Sequence, residues 1–201
     1  MPKSCIILFA KPPVKGLVKT RLAADLGNEI TLEIYQQLLQ IAVYQASKSL
    51  GDLVIFWSEK NFDSTTYSKF PFQIQDGKNL GKRMINAFNW AFENGYKKVI
   101  IMGSDCPELN AEIINKGFSA LSKADVVFGK AEDGGYYLIG MNRLHEPILD
   151  FKEWSHSQVL ENALRVAQEM NLKVESLPVL SDIDNVRDLR KFPQFASYVR
   201  E

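Results

Sequence analysis

The chain has 201 residues, 46% of them hydrophobic, enough to bury a sizeable core as one domain spanning 1–201. Its 24 lysines and arginines equal its 24 aspartates and glutamates, so the overall balance does not argue for nucleic acid or an acidic membrane as partner, neither is expected, and any positive site must be local. The opening apolar run is too short for a signal peptide and no later stretch approaches a membrane span, which points to a cytoplasmic protein without membrane insertion.

Short apolar runs alternate with longer segments of helical period, the pattern of an α/β protein with a mostly parallel sheet. Ser4 to Ala10 reads as the first strand. Ile30, Ile34, Leu38 and Ile41 then form a helical stripe, Leu53 to Ser58 a second strand, and Lys60 to Pro71 a loop. Leu80, Met84, Ala87, Phe88 and Ala91 mark the next helix, and Val99 to Gly103 the next strand. Ile113, Ile114, Gly117, Phe118 and Leu121 give another apolar stripe, followed by strands at Asp125 to Ala131 and Tyr136 to Met141. Ser155-His156-Ser157-Gln158 fits a capping box for a helix carrying Val159, Leu160, Ala163, Leu164 and Ala167. Each stripe is expected to face the core, and Trp57 and Trp154 are assigned to the core as well.

Chemistry concentrates in five segments. Directly after the first strand, Phe9 to Leu22 reads F-A-K-P-P-V-K-G-L-V-K-T-R-L, with Lys11, Lys15, Lys19 and Arg21 and no carboxylate. In a parallel α/β sheet this loop lies at the carboxyl end of its strand, where ligands bind. Two prolines stiffen it and Gly16 frees one point, which suits phosphates, although the same residues also read as a solvated basic loop. It is neither the G-x-x-x-x-G-K-[ST] loop nor G-x-G-x-x-G, and the missing dinucleotide fingerprint argues against an oxidoreductase. In N-L-G-K-R-M, Lys82 and Arg83 occupy the first turn of a helix, where the macrodipole disfavours cations unless an anion is near.

The apolar run at Ile100 ends in Gly103-Ser104-Asp105, placing a carboxylate at the same sheet edge; it either caps a turn or offers an oxygen ligand to Mg²⁺ or Mn²⁺. The chain has two cysteines, Cys5 and Cys106, in no C-x-x-C arrangement; Cys5 is expected in a strand and Cys106 as a small filler beside Asp105 rather than a nucleophile. Gly134 and Gly135 between two strands signal a hairpin, while Glu132 and Asp133 just before them could orient an acceptor hydroxyl or take its proton. In S-D-I-D-N-V-R-D-L, Asp184 is either a helix cap or, with Asp182, a source of a second metal ligand.

Together F-A-K-P-P-V-K-G-L-V-K-T-R-L, N-L-G-K-R-M, G-S-D-C-P-E-L, E-D-G-G-Y-Y-L-I-G and D-I-D-N-V-R-D-L resemble the successive motifs of the DUF2064 family, from about Ile6 to Leu189. That family is described as glycosyltransferase-like, with the GT-A or nucleotide-diphospho-sugar transferase fold, and some members are linked to arsenosugar biosynthesis. More distantly, K-T-R-L and D-I-D are similar to features of cytidylyl- and guanylyltransferases of the same fold, including the enzyme that activates phospholactate.

The resemblance implies a three-layer α/β/α Rossmann-like fold and a metal-dependent transfer of sugar from a nucleotide-diphosphate sugar to a small acceptor. It assigns Ala10, Lys11, Pro12, Lys15, Gly16, Lys19, Arg21, Lys82 and Arg83 to nucleotide and phosphate binding, and Gly134, Gly135 and Tyr136 to substrate binding. Asp105 with Asp182 or Asp184 would hold Mg²⁺ or Mn²⁺, and Lys19, Arg21, Glu132 and Asp133 would serve catalysis. Ser104 and Cys106 flank Asp105 where many GT-A glycosyltransferases carry D-x-D, and Asn185 stands where the late motif often has threonine. A nucleotidyltransferase that joins a nucleoside triphosphate to a phosphorylated small molecule stays open as an alternative, and so does a nucleotide-binding module without turnover.

Overall fold

The computed structural model describes residues 3–60, 62, 65–150 and 158–199. Its seven strands are β1 (Ser4–Ala10), β2 (Asp52–Trp57), β3 (Phe72–Ile74), β4 (Lys98–Met102), β5 (Val126–Ala131), β6 (Tyr136–Met141) and β7 (Val174–Leu180). They form one sheet in the order β3-β2-β1-β4-β6-β5-β7. Six of them run in one direction, by parallel pairing among β1 to β4 and between β5 and β7, and β6 alone is reversed, antiparallel to both β4 and β5. Strands β1, β4 and β5 are apolar along nearly their whole length because both of their faces are covered.

The helices that cover them are α1 (Thr20–Leu26), α2 (Asn28–Ser47), α3 (Leu80–Glu93), α4 (Ala111–Ala120), α5 (Val159–Glu169) and the short α6 (Val186–Leu189). Alternate residues of β1 decide the layers. Ile6 and Leu8 pack with Tyr35, Leu39 and Val43 of α2 and Ile114 and Phe118 of α4. Cys5 and Ile7 pack with Met84, Ile85 and Phe88 of α3 and Leu160 and Ala163 of α5. The result is the expected three-layer α/β/α arrangement with a mostly parallel sheet. Leu22 of α1, Ile34 and Leu38 of α2, and Ile183, Leu189 and Phe195 make a third apolar cluster that ties the last segment of the chain to α1 and α2.

Most expected elements lie within a residue of their observed bounds. Ile30 and Leu80, assigned to core stripes, are 38% and 44% exposed because each sits in the first turn of its helix, beyond the sheet. Strands β3 and β7 were not legible. The first has three residues, and the second contains Pro178, which is tolerated because β7 is an edge strand. The expected loop at 60–71 contains a 3₁₀ turn, Thr65–Tyr67. The capping box at Ser155-His156-Ser157-Gln158 and the placement of Trp154 fall on or across positions outside the described residues. Among those described, no helix is long and apolar enough to cross a membrane.

The sheet is tight where β5 meets β6. A β-carbon added to Gly129 would lie 2.3 Å from the Tyr137 ring, whose hydroxyl donates to the Pro178 carbonyl at 2.9 Å. Gly129→Ala is therefore expected to destabilise the fold by about 1–3 kcal/mol, the usual cost of overpacking, read as a lower urea midpoint at unchanged m-value. An unchanged midpoint would show that the Tyr137 ring can move aside.

The topology places the site. Because β5 runs parallel to β4 and β7, the loops that follow β1, β2, β4, β5 and β7 all emerge at one edge of the sheet. Every chemistry-bearing segment singled out in the sequence belongs to that edge or to the helix start beside it.

Candidate functional site

The loop after β1 is pinned at its start. Tyr35 of α2 accepts a hydrogen bond from the Lys11 amide at 2.9 Å and donates one to the Lys11 carbonyl at 2.8 Å. The loop then turns through Val14 N–H to the Pro12 carbonyl and Leu17 N–H to the Val14 carbonyl, with Gly16 at φ 82°. It enters α1 at Lys19, whose left-handed backbone (φ 47°, ψ 49°) is unusual for a residue with a β-carbon. Such a conformation costs about 1–2 kcal/mol, so surrounding contacts must hold it.

Those contacts belong to the Lys19 ammonium, whose side chain is only 5% exposed. It lies 2.8 Å from Asp105, which follows β4, and 3.3 Å from Asp184, and it also donates to the Ile183 carbonyl. Burial would depress the Lys19 pKa, but attraction to Asp105 and then Asp184 outweighs it and leaves the ammonium above its ordinary value. Backbone pairing keeps the two acidic segments together, since the Ile183 amide donates to the Asp105 carbonyl at 2.9 Å. Neither carboxylate is a helix cap. Asn110 caps α4, and Asn185 caps α6 through a reciprocal box with Asp188.

Around this pair opens a cleft of about 510 Å³, lined by Ala10, Lys11, Lys19, Arg21, Arg83 and Asp105 among others. Arg83 is oriented by its Nε, which donates to the Gly77 carbonyl at 3.1 Å and leaves its terminal nitrogens free of that bond. Arg21 stands 3.3 Å from Asp184 and lines both this cleft and an adjoining cavity of about 310 Å³. The second cavity gathers Glu132, Asp133, Asp182 and Lys191. Glu132 pairs with Lys191 at 2.8 Å, and that hydrogen bond holds its pKa below the usual carboxylate range. Asp133 braces the turn by accepting from the Gly135 amide at 2.9 Å, with Gly134 at φ 91°.

Asp182 is the most perturbed acid of the site. Burial, followed by repulsion from Asp105 and Asp133, pushes its pKa up to about 7. Its Oδ1 is buried without a hydrogen-bond partner among the described residues. A buried orphan oxygen beside other carboxylates is suited to a hard divalent cation. No three histidine, cysteine or acidic side chains among the described residues converge closely enough to hold a metal by themselves, so a divalent ion here would take the rest of its shell from other oxygens, such as those of water or a bound phosphate. Cys106 is buried here and burial raises its thiol to about 12, which leaves it an inert neighbour.

Several assigned residues lie apart from the two cavities. Lys15 is paired with Glu29 on the surface, while Gly16 shapes the loop without lining the cleft. Lys82 is exposed, its backbone amide donating to the Asn79 cap. Pro12 lies in a third, neighbouring cavity. The Tyr136 ring packs 5.4 Å from Phe128 with its hydroxyl buried, and Gly134 and Gly135 form the turn itself. Conversely, Tyr35, Ser58, Gln75 and Lys191 reach the site from positions that the sequence reading did not select. Tyr35 lies on a buried helix face, and the others carry no motif.

Comparison with known proteins agrees with this architecture. No curated protein matches the chain by sequence. A protein from Desulfovibrio desulfuricans G20, provisionally described as a nucleotide-diphospho-sugar transferase, has a crystal structure that superposes with a TM-score of 0.88 at 33% identity, covering 94% of this chain and 85% of that one. The fold is shared at 12% identity with 4-diphosphocytidyl-2C-methyl-D-erythritol synthase from Anaerococcus prevotii (TM-score 0.62; 98% and 96% of the two chains). It is shared at 10% identity with a CMP-2-keto-3-deoxy-manno-octonic acid synthetase complexed with CTP (TM-score 0.60; 97% and 98%). The sequence profile of DUF2064, described as an uncharacterized protein conserved in bacteria, matches residues 41–156, more than half of the sequence, and the chain belongs to that family.

Proposed function

We propose that this protein transfers a sugar from a nucleotide-diphosphate sugar to a small acceptor. One observation carries the reading. Lys19, clamped between Asp105 and Asp184, stands where a cleft rimmed by Lys11, Arg21 and Arg83 meets a second cavity containing Asp133 and Asp182. The first has the charge for a diphosphate, and the second has room and hydrogen-bond acceptors for a hydroxylated partner. The likeness to a protein provisionally described as a nucleotide-diphospho-sugar transferase, and to a synthetase holding CTP, supports a nucleotide in the first cavity.

In this reading the acceptor oxygen attacks the anomeric carbon, the bond from that carbon to the diphosphate breaks, and its electron pair leaves on the diphosphate. Lys11, Arg21 and Arg83 stabilise the charge that grows there, as preorganised cations in a fixed cleft do. Glu132 and Asp133 orient the acceptor hydroxyl, and the carboxylate of Asp133 takes its proton. Asp105 with Asp182 or Asp184 would hold Mg²⁺ or Mn²⁺, which when bound supplies Lewis-acid neutralisation of the leaving diphosphate.

Nucleotidyl transfer is the second reading, favoured by one feature. Arg21 and Lys191 put cations in the acceptor cavity, where they would meet a phosphorylated acceptor. Thermal stabilisation by nucleotide sugars and nucleoside triphosphates, each with Mg²⁺, Mn²⁺ or chelator, separates the two. Metal-dependent preference for a nucleotide sugar supports glycosyl transfer, and preference for a triphosphate supports the second reading. Asp105→Asn is expected to abolish the metal-dependent part of that stabilisation while the apo melting point stays within a few degrees. Undiminished metal-dependent binding by the variant would remove Asp105 from the metal site.

A further inference from the structure

Beside the phosphate cleft lies the third cavity, about 400 Å³, which shares Lys11, Ser58 and Arg83 with it. Its walls include Val14, Leu17 and Phe62. Val14 and Leu17 are 39% and 59% exposed, an unusual amount of uncovered apolar surface for a loop full of lysines. The Phe62 ring is held edge-on against Trp57 at 4.8 Å. Apolar surfaces of this kind, one of them an aromatic ring, offer a flat ligand ring a place to pack.

The polar groups on the same side are biased toward accepting hydrogen bonds. Gln75 lines the phosphate cleft, and its amide nitrogen is committed to the Phe56 carbonyl at 2.8 Å and more loosely to the Ala10 carbonyl at 3.5 Å. That commitment fixes the amide orientation, since the oxygen could not face two carbonyls. Gln75 Oε1 is left as an acceptor without a partner among the described residues. Glu59, in the third cavity, forms no ion pair or hydrogen bond among the described residues, and an ionised carboxylate only accepts. Ser58 lines both cavities, and its hydroxyl can serve either role. Among the described residues that line the third cavity, the side-chain cations are Lys11 and Arg83, and both stand on the border with the phosphate cleft.

We infer that this rim is the nucleobase subsite and that it selects a base bearing an exocyclic amine, namely guanine, cytosine or adenine, against uracil and thymine. The inference rests on the nucleotide reading above and adds the identity of the base. An amine meets Gln75 Oε1 and the Glu59 carboxylate with N–H donors, and guanine can offer a carboxylate two donors side by side. Uracil and thymine have one ring N–H flanked by carbonyl oxygens, which would face the same acceptors with like partial charges. Glu59 is exposed and Gln75 half-buried, so a base that covers them with its own acceptors takes away their water without returning a hydrogen bond, and it binds more weakly for that reason.

The test is titration calorimetry of the intact protein with GDP, CDP, ADP, UDP, dTDP and pyrophosphate, each with Mg²⁺ and with chelator. The expected result is that at least one of GDP, CDP and ADP binds roughly tenfold or more tightly than both UDP and dTDP. Glu59→Gln, which keeps the shape and adds a donor, is expected to narrow that ratio by improving UDP binding while pyrophosphate affinity stays unchanged. Equal or tighter binding of UDP or dTDP overturns the base assignment and leaves the nucleotide reading standing. Failure of every diphosphate, pyrophosphate included, overturns both.

Discussion

Lys19→Met is expected to lower turnover by about a hundredfold or more, with a smaller loss of stability. The two effects separate because the lysine's partners differ from it in exposure. Its own side chain is 5% exposed, whereas Asp105 and Asp184 retain 41% and 50%. Removing the ammonium leaves two carboxylates that water can reach, so the destabilisation should be about 1–2 kcal/mol, below the cost of orphaning a fully buried charge. The raised Lys19 pKa fixes the pH course. A cation whose folded pKa exceeds its unfolded value contributes its full stability below the unfolded value, and that contribution fades as pH rises through the folded one. Variant and parent should therefore differ at pH 8 and converge in strong alkali. Lys19→Gly tests the backbone at the same position, since glycine adopts φ 47° without strain. It should recover part of the lost stability and none of the activity. Full activity in either variant would show that the ammonium is a structural strut.

Asp182→Asn is expected to act in opposite directions on stability and on binding. In the folded state the Asp182 carboxyl titrates at about 7, against an ordinary value of 3.8. The unfolded chain therefore releases this proton earlier, and stability falls as pH rises from about 4 to about 7. Above pH 7 the protein carries the whole cost of a buried anion among Asp105, Asp133 and Asp184. At 1.36 kcal/mol for each pH unit the shift corresponds to about 4 kcal/mol, of which the buried asparagine amide would forfeit a part, leaving a gain of roughly 1–3 kcal/mol at pH 8. The gain should vanish near pH 3. Metal-dependent nucleotide binding should be lost in the same variant, because the neutral amide cannot compensate a divalent cation. A variant less stable than the parent at pH 8 would show that the carboxylate has a structural partner. Unchanged metal-dependent binding would assign the second ligand to Asp184.

The opposed signs fit what a binding site requires of its fold. Repelling carboxylates and a left-handed lysine are unfavourable until cations and phosphates arrive, and natural folds carry such cost at functional positions. Here it is carried by one edge of a mostly parallel sheet whose two covered faces supply the compensating burial.

Local physics made much of this legible in the amino-acid sequence. Strand β1 and the β5–β6 hairpin announced themselves because uninterrupted apolar runs end in prolines or paired glycines, and α4 because its apolar residues recur at helical spacing. Asp105, Lys19, Arg21 and Arg83 could be nominated because charge directly after a buried strand, or in the first turn of a helix, has no local reason to be there. Three matters were decided only by the tertiary structure. The Lys19 ammonium turned out to be clamped by two carboxylates, one of them 165 positions away in sequence, a pairing that no local pattern encodes. Lys15 and Lys82, equally cationic in sequence, point elsewhere because Glu29 captures one and the turn of α3 carries the other outward. The neutral residues Tyr35, Ser58 and Gln75 entered the site because the strand order 3-2-1-4-6-5-7 stacks their elements beside β1. Periodicity and turn chemistry act over a few residues and can be read along the chain, whereas which loops share one edge depends on crossover and pairing, which only the folded sheet determines.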